Sequence, residues 1–553
     1  MKTKDIYLCY SCDADTEDGS PLILKNEEEY DHHRSLRHSV KIKQVNSTPE
    51  NPSQKLAKFA TKSMFKVVVS RSDSTRVFAV VKMNNHYETI EFDKKNPRAI
   101  GWLQVAYFDE SGNMCSDDQC SGAIGFLRQK TLMNESTNQE EVHLRCAFVN
   151  DEIFYDLGRS DWKLIRITKE GINFIDYGIN TPIFYRTSRI AKQTEPNLRP
   201  NVDALSEFTK LIRIPNPEMF KVQLVSMFIS GVPMPCFAIH GHSGSAKSAT
   251  SSMMKRIIDP AGMSNKDNLK SFPRGEDNFV VSLASAYFSS FENISHIDKD
   301  VSDTICRAVT GSSYEKRAHY SNDEVFVISI LRKVLINGID FDIKEADLVD
   351  RVIVYQLERI DKNQRLSEKQ VEGIFRKLLP DLLGQIFLIL QKALVIVDSV
   401  EKELSYKERM ADFSVIGEAI YQSLGHSQDE FLDLFHAEIQ KNLQNLHDSN
   451  PIVKIFNEIL GDENERQIQA EELYQEIESI SSRNGFAVSR LPKSSSGIQS
   501  WVDRSKTLLD ESELNVISYI NTQSKDNSGF TPNSKVYVLR RVVSTQTKLK
   551  DID

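Results

Sequence analysis

One loop in the middle of the chain has the residue types and the spacing needed to bind phosphate. The run Gly241-His-Ser-Gly-Ser-Ala-Lys-Ser248 follows the apolar stretch Phe237-Ala-Ile-His and precedes a helical stretch that extends to Ile258. In this strand, loop and helix order, backbone N–H groups surround the phosphate oxygens of a nucleotide. We therefore expect Lys247 to meet the β/γ charge of ATP and the Ser248 hydroxyl to bind Mg²⁺. The other residues expected to line this phosphate loop are Gly241, Ser243, Gly244, Ser245 and Ala246.

One position of the phosphate loop departs from the usual pattern. Ala246 stands where a second glycine usually precedes the lysine. Alanine costs little at this position if its φ is negative, because only a positive φ strongly favours glycine. The alternative for the whole segment is a glycine- and serine-rich turn between a strand and a helix that binds nothing.

Three polar residues downstream could complete a hydrolytic site. Glu292 ends the apolar run Ala286-Tyr-Phe-Ser-Ser-Phe-Glu, where a second strand would bring a carboxylate beside Mg²⁺ and the attacking water. Asn337 ends another apolar run and could orient that water. Arg351 follows at the end of a short helical stretch, from which an arginine could stabilise charge on the γ-phosphate of a neighbouring subunit. Each residue alone could be an ordinary surface or turn residue, but their order favours hydrolysis.

The segment from about residue 204 to about residue 460 resembles a family of phage- and mobile-element-encoded AAA+ ATPases. Members of that family are usually described as primase-helicase or MCM-like (minichromosome-maintenance-like) replication proteins. The motifs that carry the resemblance are Phe291-Glu-Asn-Ile-Ser, Ser302-Asp-Thr-Ile-Cys-Arg, Thr310-Gly, Arg317, Tyr320-Ser-Asn-Asp-Glu, Asn337-Gly-Ile, Asp347-Leu-Val-Asp-Arg and Arg409-Met-Ala-Asp-Phe. The chain departs from the family in carrying Glu292 in place of the expected Asp, and Ala246 in the loop.

The resemblance implies a role for each of these residues. For the phosphate loop it implies the roles given above, and it implies that Glu292 serves the metal and the water. It further implies that Asn337 is a first sensor and that Arg351 completes the site of the next subunit in a ring. Arg409 would be a second sensor on a helical lid, with an ordinary surface residue as the alternative.

The resemblance also points to a DNA contact between the acidic strand and the sensor strand. In MCM-like and superfamily III rings, a hairpin at this location projects into the pore and grips the nucleic-acid backbone. Here the segment carries two cations, an imidazole and an aromatic ring, which suit phosphate contact and base stacking. These candidate DNA-binding residues are Lys316, Arg317, His319 and Tyr320. The alternative is a surface turn with ordinary solvated charges.

The elements around these residues predict a multidomain α/β protein. Residues 1–58 are polar and are expected to form a partly ordered leader, and residues 59–193 carry β-like runs typical of a β-rich accessory domain. One of those runs is Trp102-Leu-Gln-Val-Ala-Tyr-Phe. Alternating helical and strand-like segments predict an AAA+ P-loop core over residues 202–365, followed by a helical lid over 366–448. Residues 449–545 are expected to form a C-terminal winged helix, which could bind DNA or another protein.

Composition excludes some classes of protein and leaves others open. A net charge of −9 argues against a chain that coats nucleic acid with its whole surface, but it allows local basic elements. No run approaches the 18 consecutive apolar residues of a membrane span, and the seven scattered cysteines suit a reduced cytoplasm. Cys9-x2-Cys12 and Cys115-x4-Cys120, with His32 and His33 between, could in principle form a zinc site.

The reading that best fits these patterns is an ATP-dependent DNA helicase or translocase. It would act in the replication of a mobile element or phage, use ATP and Mg²⁺, bind single-stranded or forked DNA, and work as a homo-oligomeric ring, a hexamer. The alternatives are a nucleotide-switched regulator or defence ATPase that unwinds nothing, and an origin-binding initiator whose tail recognises a DNA sequence.

Overall fold

The computed structural model separates into two compact units, Met1–Glu140 and Glu141–Asp553. We call these the N-terminal unit and the C-terminal unit and describe each by itself. The described residues are 3–9, 22–24, 27–35, 40–46, 51–83, 85–134, 136–262, 268–273, 275–294, 297, 299–317, 325–339, 345–449, 451–484, 486, 491–525 and 529–542.

The N-terminal unit contains two sheets and four helices among its described residues. Its strands form a sheet of order β2-β1-β3 and a second sheet of order β6-β5-β4-β7, and helices α2, α3 and α4 share an apolar core with the second sheet. The elements are β1 (Thr3–Cys9), β2 (Leu22–Leu24), α1 (Glu27–Ser35), β3 (Val40–Asn46), α2 (Pro52–Ser63), β4 (Met64–Ser70), β5 (Val77–Met83), β6 (His86–Glu91), α3 (Pro97–Ser111), α4 (Asp117–Leu132) and β7 (Gln139–Glu140).

The run that begins at Trp102 was expected to be a strand, and that prediction is wrong. It lies inside α3, which begins after an Asn96 side chain that accepts a hydrogen bond from the Arg98 N–H. Pro97 at the first helical position and Gly112 in the left-handed conformation at the end favour a helix. The spacing of apolar residues in this run fits either a strand or a helix, and the capping residues on either side favour the helix.

The cysteines considered for zinc fall in this unit. Cys12 lies outside the described residues, while Cys115 Sγ and Cys120 Sγ lie 3.2 Å apart. In the part of the chain that the structure describes, no cluster of three or more His, Cys, Asp or Glu side chains could hold a metal.

The C-terminal unit begins with small sheets. These elements are β8 (Val142–His143), β9 (Cys146–Val149), β10 (Glu152–Asp156), β11 (Lys163–Ile167), β12 (Ile172–Asp176) and β13 (Ile183–Phe184). They share one apolar core with the α/β layer that follows. The sequence placed the end of the accessory domain at residue 193, whereas contacts divide the chain at residue 140. The difference arises because buried Arg145 hydrogen-bonds to Asp259 and Pro260 at the end of a helix of the α/β layer.

The α/β layer holds a five-stranded parallel sheet of order β15-β16-β19-β14-β20. Its strands β14 and β20 are mainly apolar, as expected for strands of a parallel sheet covered on both faces. The elements of this layer are α5 (Ala204–Ile212), α6 (Pro217–Ser226), β14 (Cys236–His240), α7 (Lys247–Ile258), β15 (Lys270–Ser271), α8 (Glu276–Ala284), β16 (Phe288–Ile294), α9 (Lys299–Thr310), β17 (Ser312–Arg317), β18 (Val325–Ile330), β19 (Lys333–Gly338), α10 (Ala346–Val349) and β20 (Val352–Gln356).

A helical region follows the sheet, as predicted. It consists of α11 (Glu368–Glu403), α12 (Ala411–Ser423) and α13 (Glu430–Ser449). Ser367 and Gln370 form a reciprocal capping box at the start of α11, which explains why the helix begins there.

Among the described helices, α11 alone is long and apolar enough to cross a membrane, and half of its most apolar 18-residue window is buried inside the protein. Gly384 lies where the chain before α5 crosses this helix. A Cβ on Gly384 would lie 1.7 Å from the Asn197 carbonyl oxygen, so glycine is required there.

The tail of the C-terminal unit is a small module of helices and a three-stranded antiparallel sheet of order β21-β23-β22. The elements are α14 (Pro451–Leu460), β21 (Glu465–Gln469), α15 (Ala470–Asn484), α16 (Ile498–Arg504), α17 (Lys506–Glu511), β22 (Leu514–Ile520) and β23 (Lys535–Arg541). Its apolar side chains join the core of the C-terminal unit.

Candidate functional site

The phosphate loop joins the end of β14 to the start of α7, as the sequence predicts. Lys247 turns back over the loop, and its Nζ donates hydrogen bonds to the carbonyl oxygens of Gly241 at 2.6 Å and His242 at 3.1 Å. These carbonyl oxygens are the acceptors of the Lys247 ammonium, which the phosphate oxygens of a nucleotide would replace. Burial lowers the pKa of Lys247, so an anion beside it would relieve a desolvated charge.

The loop is held tightly on one side and open on the other. A Cβ on Gly241 would lie 2.3 Å from the Leu357 carbonyl oxygen, so no larger residue fits there. Ser243 and Ser248 are exposed, whereas Ser245 is buried and its Oγ has no hydrogen-bond partner among the described residues. Ser243 and Ser248 are therefore accessible to a ligand, whereas Ser245 is not.

Ala246 has φ 62° and ψ 22°, in the left-handed region. The expectation that alanine costs little here depended on a negative φ, and that condition is not met. A left-handed residue other than glycine costs roughly 1–2 kcal/mol because its Cβ crowds the following carbonyl oxygen. The loop conformation is therefore kept despite strain at its last residue.

The start of α7 offers unsatisfied donors to an anion. Ala246 is the N-cap residue and provides no side-chain hydrogen bond to the first turn. The first N–H groups of a helix have no partner within it, and they carry a partial positive charge. An uncapped start beside a lysine therefore fits a phosphate group better than it fits a neutral turn.

Glu292 and Asn337 lie near the carboxyl ends of neighbouring strands, at the same edge of the sheet as the phosphate loop. Asn337 pairs in register with Ile239, two residues before the loop, and Phe291 pairs with Ile336. The carboxyl ends of parallel strands form the crevice in which α/β proteins bind ligands. The structure thus brings together three of the predicted features, the loop, the acid and the amide.

The amide of Asn337 is almost completely buried and is occupied on both sides. Its Nδ2 donates to Ser251 Oγ of α7 at 2.9 Å, and its Oδ1 accepts from the Asn293 N–H at 3.3 Å. Asn337 therefore ties the end of β16 to the helix of the phosphate loop. Sequence reasoning assigned Asn337 to the attacking water and gave no role to Ser251, which has no local signal in the chain.

Glu292 is half-buried at a bulge in β16, next to Asn293 with φ 59°. Its carboxylate and the Ser248 hydroxyl are hard oxygen donors, the class that Mg²⁺ prefers. Because Mg²⁺ usually takes one or two protein oxygens together with phosphate and water, this donor set fits the metal.

Arg351 and Arg409 lie together, joined by Asp347 of the segment around α10. Arg351 Nη1 donates to the Asp347 carbonyl oxygen, and its side chain is largely buried. Arg409 reaches Asp350 Oδ2 at 3.1 Å and Asp347 Oδ1 at 3.2 Å, and half of its side chain is exposed. Hydrogen bonding to Asp350 raises the pKa of Arg409. No hydrogen bond or ion pair links Arg409 to the phosphate loop in the described chain.

The two strands of the predicted hairpin are present among the described residues. β17 and β18 pair in antiparallel register from Ser312 with Ile330 to Arg317 with Val325. Lys316 and Arg317 are the last residues of β17 before the connection. His319 and Tyr320 lie outside the described residues.

Several basic residues of the tail, the predicted winged helix, have partners within the tail. Arg540 forms an ion pair with Glu465 at 2.7 Å, and Arg541 Nη2 donates to the Gly461 carbonyl oxygen at 2.8 Å. Arg504 Nε donates to the Ser500 carbonyl oxygen within its own helix, and Lys535 lies over the Tyr537 ring. These cations are therefore partly engaged in contacts within the tail and are less available to bind DNA.

One residue beside the phosphate loop was missed. The guanidinium of Arg365 lies over Gly244, with Nη2 3.1 Å from where a Cβ on that glycine would be. Its Nε donates to the Ile360 carbonyl oxygen at 3.1 Å. Arg365 stands in a polar stretch before α11, where nothing in the local spacing distinguishes it from other exposed cations.

Comparison with known proteins gives one family match. Residues 203–430 match the model of a family described as actinomycete integrative conjugative element replication protein. That segment contains the phosphate loop, the sheet edge, the β17–β18 hairpin and Arg409. A search of curated proteins gives no match.

Several solved structures are similar at low identity. One titled SCCmec type IV Cch, an active helicase, is 10% identical, with 87% of this chain and 93% of that chain covered and a TM-score of 0.41. The apo A form of the NrS-1 C-terminal region is 10% identical, with 90% and 100% covered and a TM-score of 0.37. JCV helicase is 14% identical, with 43% and 64% covered and a TM-score of 0.21. With TM-scores below 0.5, these similarities establish neither a shared fold nor an activity.

Proposed function

We propose that this chain is an ATP-dependent DNA helicase or translocase that acts in the replication of a mobile element or phage. The observation that carries the proposal is the meeting of the phosphate loop, Glu292 and Asn337 at one sheet edge. This edge lies inside the segment that matches a mobile-element replication family. An AAA+ core with a helical lid, α11 to α13, is the architecture that we assign to this segment.

Within this site, Lys247 binds the β/γ charge of ATP, and the N-terminus of α7 binds phosphate oxygens. Ser248 and Glu292 would hold Mg²⁺, which supplies charge neutralisation on the phosphates when it is bound. Glu292 accepts a hydrogen bond from the attacking water and orients it. Asn337 acts mainly by positioning, because its contacts fix the bulge that carries Glu292 relative to α7.

Hydrolysis is shared between subunits of a homo-oligomeric ring, a hexamer, in this proposal. Arg351 and Arg409 form a charged cluster with Asp347 and Asp350, and no hydrogen bond or ion pair among the described residues links Arg409 to the subunit's own loop. A neighbour's γ-phosphate would compete with these carboxylates for the guanidinium groups. Arg351 is the residue that we assign to this contact, and its release from the Asp347 carbonyl is part of closing the interface.

The β17–β18 hairpin couples hydrolysis to single-stranded or forked DNA. It stands in the chain between β16, which carries Glu292, and β19, which carries Asn337, so its position can follow the state of the nucleotide. Lys316 and Arg317 contact phosphates near its tip. The tail is assigned as a winged helix, because its four helices accompany a three-stranded antiparallel sheet in which the segment between β22 and β23 would be the wing.

The test is ATP hydrolysis with and without single-stranded DNA, together with displacement of a labelled strand from a fork. Wild type is expected to be stimulated by DNA and to displace the strand. Lys316→Ala with Arg317→Ala should keep basal hydrolysis and lose both DNA effects, because neither residue is assigned to the nucleotide. Hydrolysis that ignores DNA would favour the nucleotide-switched regulator or defence ATPase. Binding by the tail to one DNA sequence without unwinding would favour the origin-binding initiator.

A further inference from the structure

The segment from Leu357 to Arg365 closes over the phosphate loop. The Leu357 N–H donates to the His240 carbonyl oxygen at 2.8 Å, and the Ile360 N–H donates to the Gly244 carbonyl oxygen at 3.4 Å. The segment is therefore bonded to the strand end just before the loop and to the loop itself. A side chain at the far end of the segment is therefore held close to the phosphate loop.

Arg365 is positioned by several contacts of this segment. Its own Nε is bound by the Ile360 carbonyl oxygen, and its neighbour Gln364 accepts a hydrogen bond from Arg213 Nη1 at 2.8 Å. Two residues later, Ser367 caps α11. The arginine backbone is thus fixed from both sides, which reduces the entropy lost when its side chain binds a ligand.

The Nη groups of Arg365 are free to bind an anion. They make no hydrogen bond or ion pair to any residue that the structure describes, although Nη2 lies over Gly244. Gly244 has φ 87° and no side chain, so the guanidinium approaches the loop backbone directly. Lys247 lies in the same loop and, like Arg365, forms no ion pair with a carboxylate of the described residues, so the two cations together favour a polyphosphate.

Arg409 does not fill this place. Its two Nη groups are bound by Asp347 and Asp350, whereas the Nη groups of Arg365 lie against the phosphate loop itself. The arginine that a subunit supplies to its own nucleotide should therefore be sought before α11, where the helical region begins, and not within it.

We infer that Arg365 binds the phosphate chain of the nucleotide held by its own subunit. This inference rests on the proposed function, since it requires that the phosphate loop bind ATP. The planar guanidinium can donate two parallel hydrogen bonds to phosphate oxygens, which a lysine ammonium cannot do.

The experiment is titration calorimetry of Mg²⁺ and ATP into the full chain, with Arg365→Ala, Arg365→Lys and Arg359→Ala compared with wild type. Arg359 is a matched control, because it is an exposed cation of the same segment without a hydrogen bond or ion pair to any described residue. We expect Arg365→Ala to weaken ATP binding on the order of tenfold or more, as for a lost hydrogen bond to a charged group. Arg365→Lys should recover part of the loss, and Arg359→Ala should bind like wild type.

The outcomes separate this inference from the proposed function. If wild type binds no ATP, the proposed function fails. If wild type binds ATP and folded Arg365→Ala binds it equally well, the inference is wrong and the phosphate loop stands without it. Arg409→Ala is measured beside them, and a loss of affinity there with none at Arg365 would also overturn the inference. Circular dichroism of each variant confirms its fold. If the alanine variant is unstable, the lysine variant still tests whether the two parallel hydrogen bonds of the guanidinium matter.

Discussion

Replacing Asp259 with asparagine should strongly destabilise the C-terminal unit. Asp259 ends α7 and is buried, and its Oδ1 accepts a hydrogen bond from Arg145 Nε at 3.0 Å. Its Oδ2 accepts from Lys255 Nζ at 2.6 Å and from the N–H groups of Tyr287 and Phe288 at 3.1 Å each. One carboxylate thus joins the β strands after residue 141, the helix of the phosphate loop and the start of β16.

The size of the effect follows from the charges left behind. Burial alone would raise the pKa of Asp259, but Lys255 and Arg145 outweigh it and lower the pKa to about 2. Relative to the ordinary value of 3.8, this shift corresponds to about 2 kcal/mol of stability. Asparagine would also leave two buried cations without a counter-charge, and breaking such a network costs about 3–5 kcal/mol. We expect a loss in that range at neutral pH.

The pH dependence has a definite sign. Because the folded pKa lies below the ordinary value, the contribution of Asp259 is complete above pH 3.8 and is lost as the pH falls towards 2. The difference between wild type and Asp259→Asn should therefore shrink only in that acid window. The contribution of Asp259 to this stability difference should stay constant between pH 5 and pH 8.

The assay is urea unfolding followed by tryptophan fluorescence. A Trp102→Phe background removes the tryptophan of the N-terminal unit, so that Trp162 and Trp501 report on the C-terminal unit. Asp398→Asn is the matched control, because that carboxylate forms an exposed ion pair with Lys169 and should give no measurable change. An Asp259→Asn protein as stable as wild type would refute the reasoning.

Three further predictions concern the site. Ala246→Gly should stabilise the nucleotide-free protein by roughly 1 kcal/mol, because the left-handed strain removed exceeds the added freedom of the unfolded chain; unchanged or lower unfolding midpoints would contradict this. Glu292→Gln should keep ATP affinity and slow hydrolysis, since shape is kept and charge is removed; loss of binding in calorimetry would make Glu292 a structural residue. Mixing Arg351→Ala with Lys247→Ala protein should restore some hydrolysis at interfaces with both intact groups, and no recovery despite co-assembly would argue against a shared site.

The sequence was most informative where function depends on a continuous stretch. The phosphate loop, the strand ends at Glu292 and Asn337, and the start of the helical region at Ser367 all lie where local pattern placed them. Each depends on neighbours within a few residues, such as a capping serine or an apolar run that ends in a polar residue.

Contacts between residues far apart in the chain could not be predicted from the sequence. Nothing near Arg145 shows that it pairs with Asp259, 114 residues away, and so the accessory strands could not be joined to the α/β core. The loop that contains Ala246 packs on Leu357 and Ile360, which come more than a hundred residues later, so its conformation could not be predicted from local sequence. Arg365 was missed for the same reason, because its importance comes from Gly244 in space and not from its neighbours in sequence.

The most direct test of the central claim is ATP hydrolysis by wild type and Lys247→Ala, each measured with and without single-stranded DNA. The account predicts that wild type hydrolyses ATP faster with DNA. It also predicts that the variant, with an unchanged circular dichroism spectrum, loses on the order of 100-fold or more of that rate. Near-wild-type hydrolysis by folded Lys247→Ala would contradict the assignment of the phosphate loop and, with it, the proposed function.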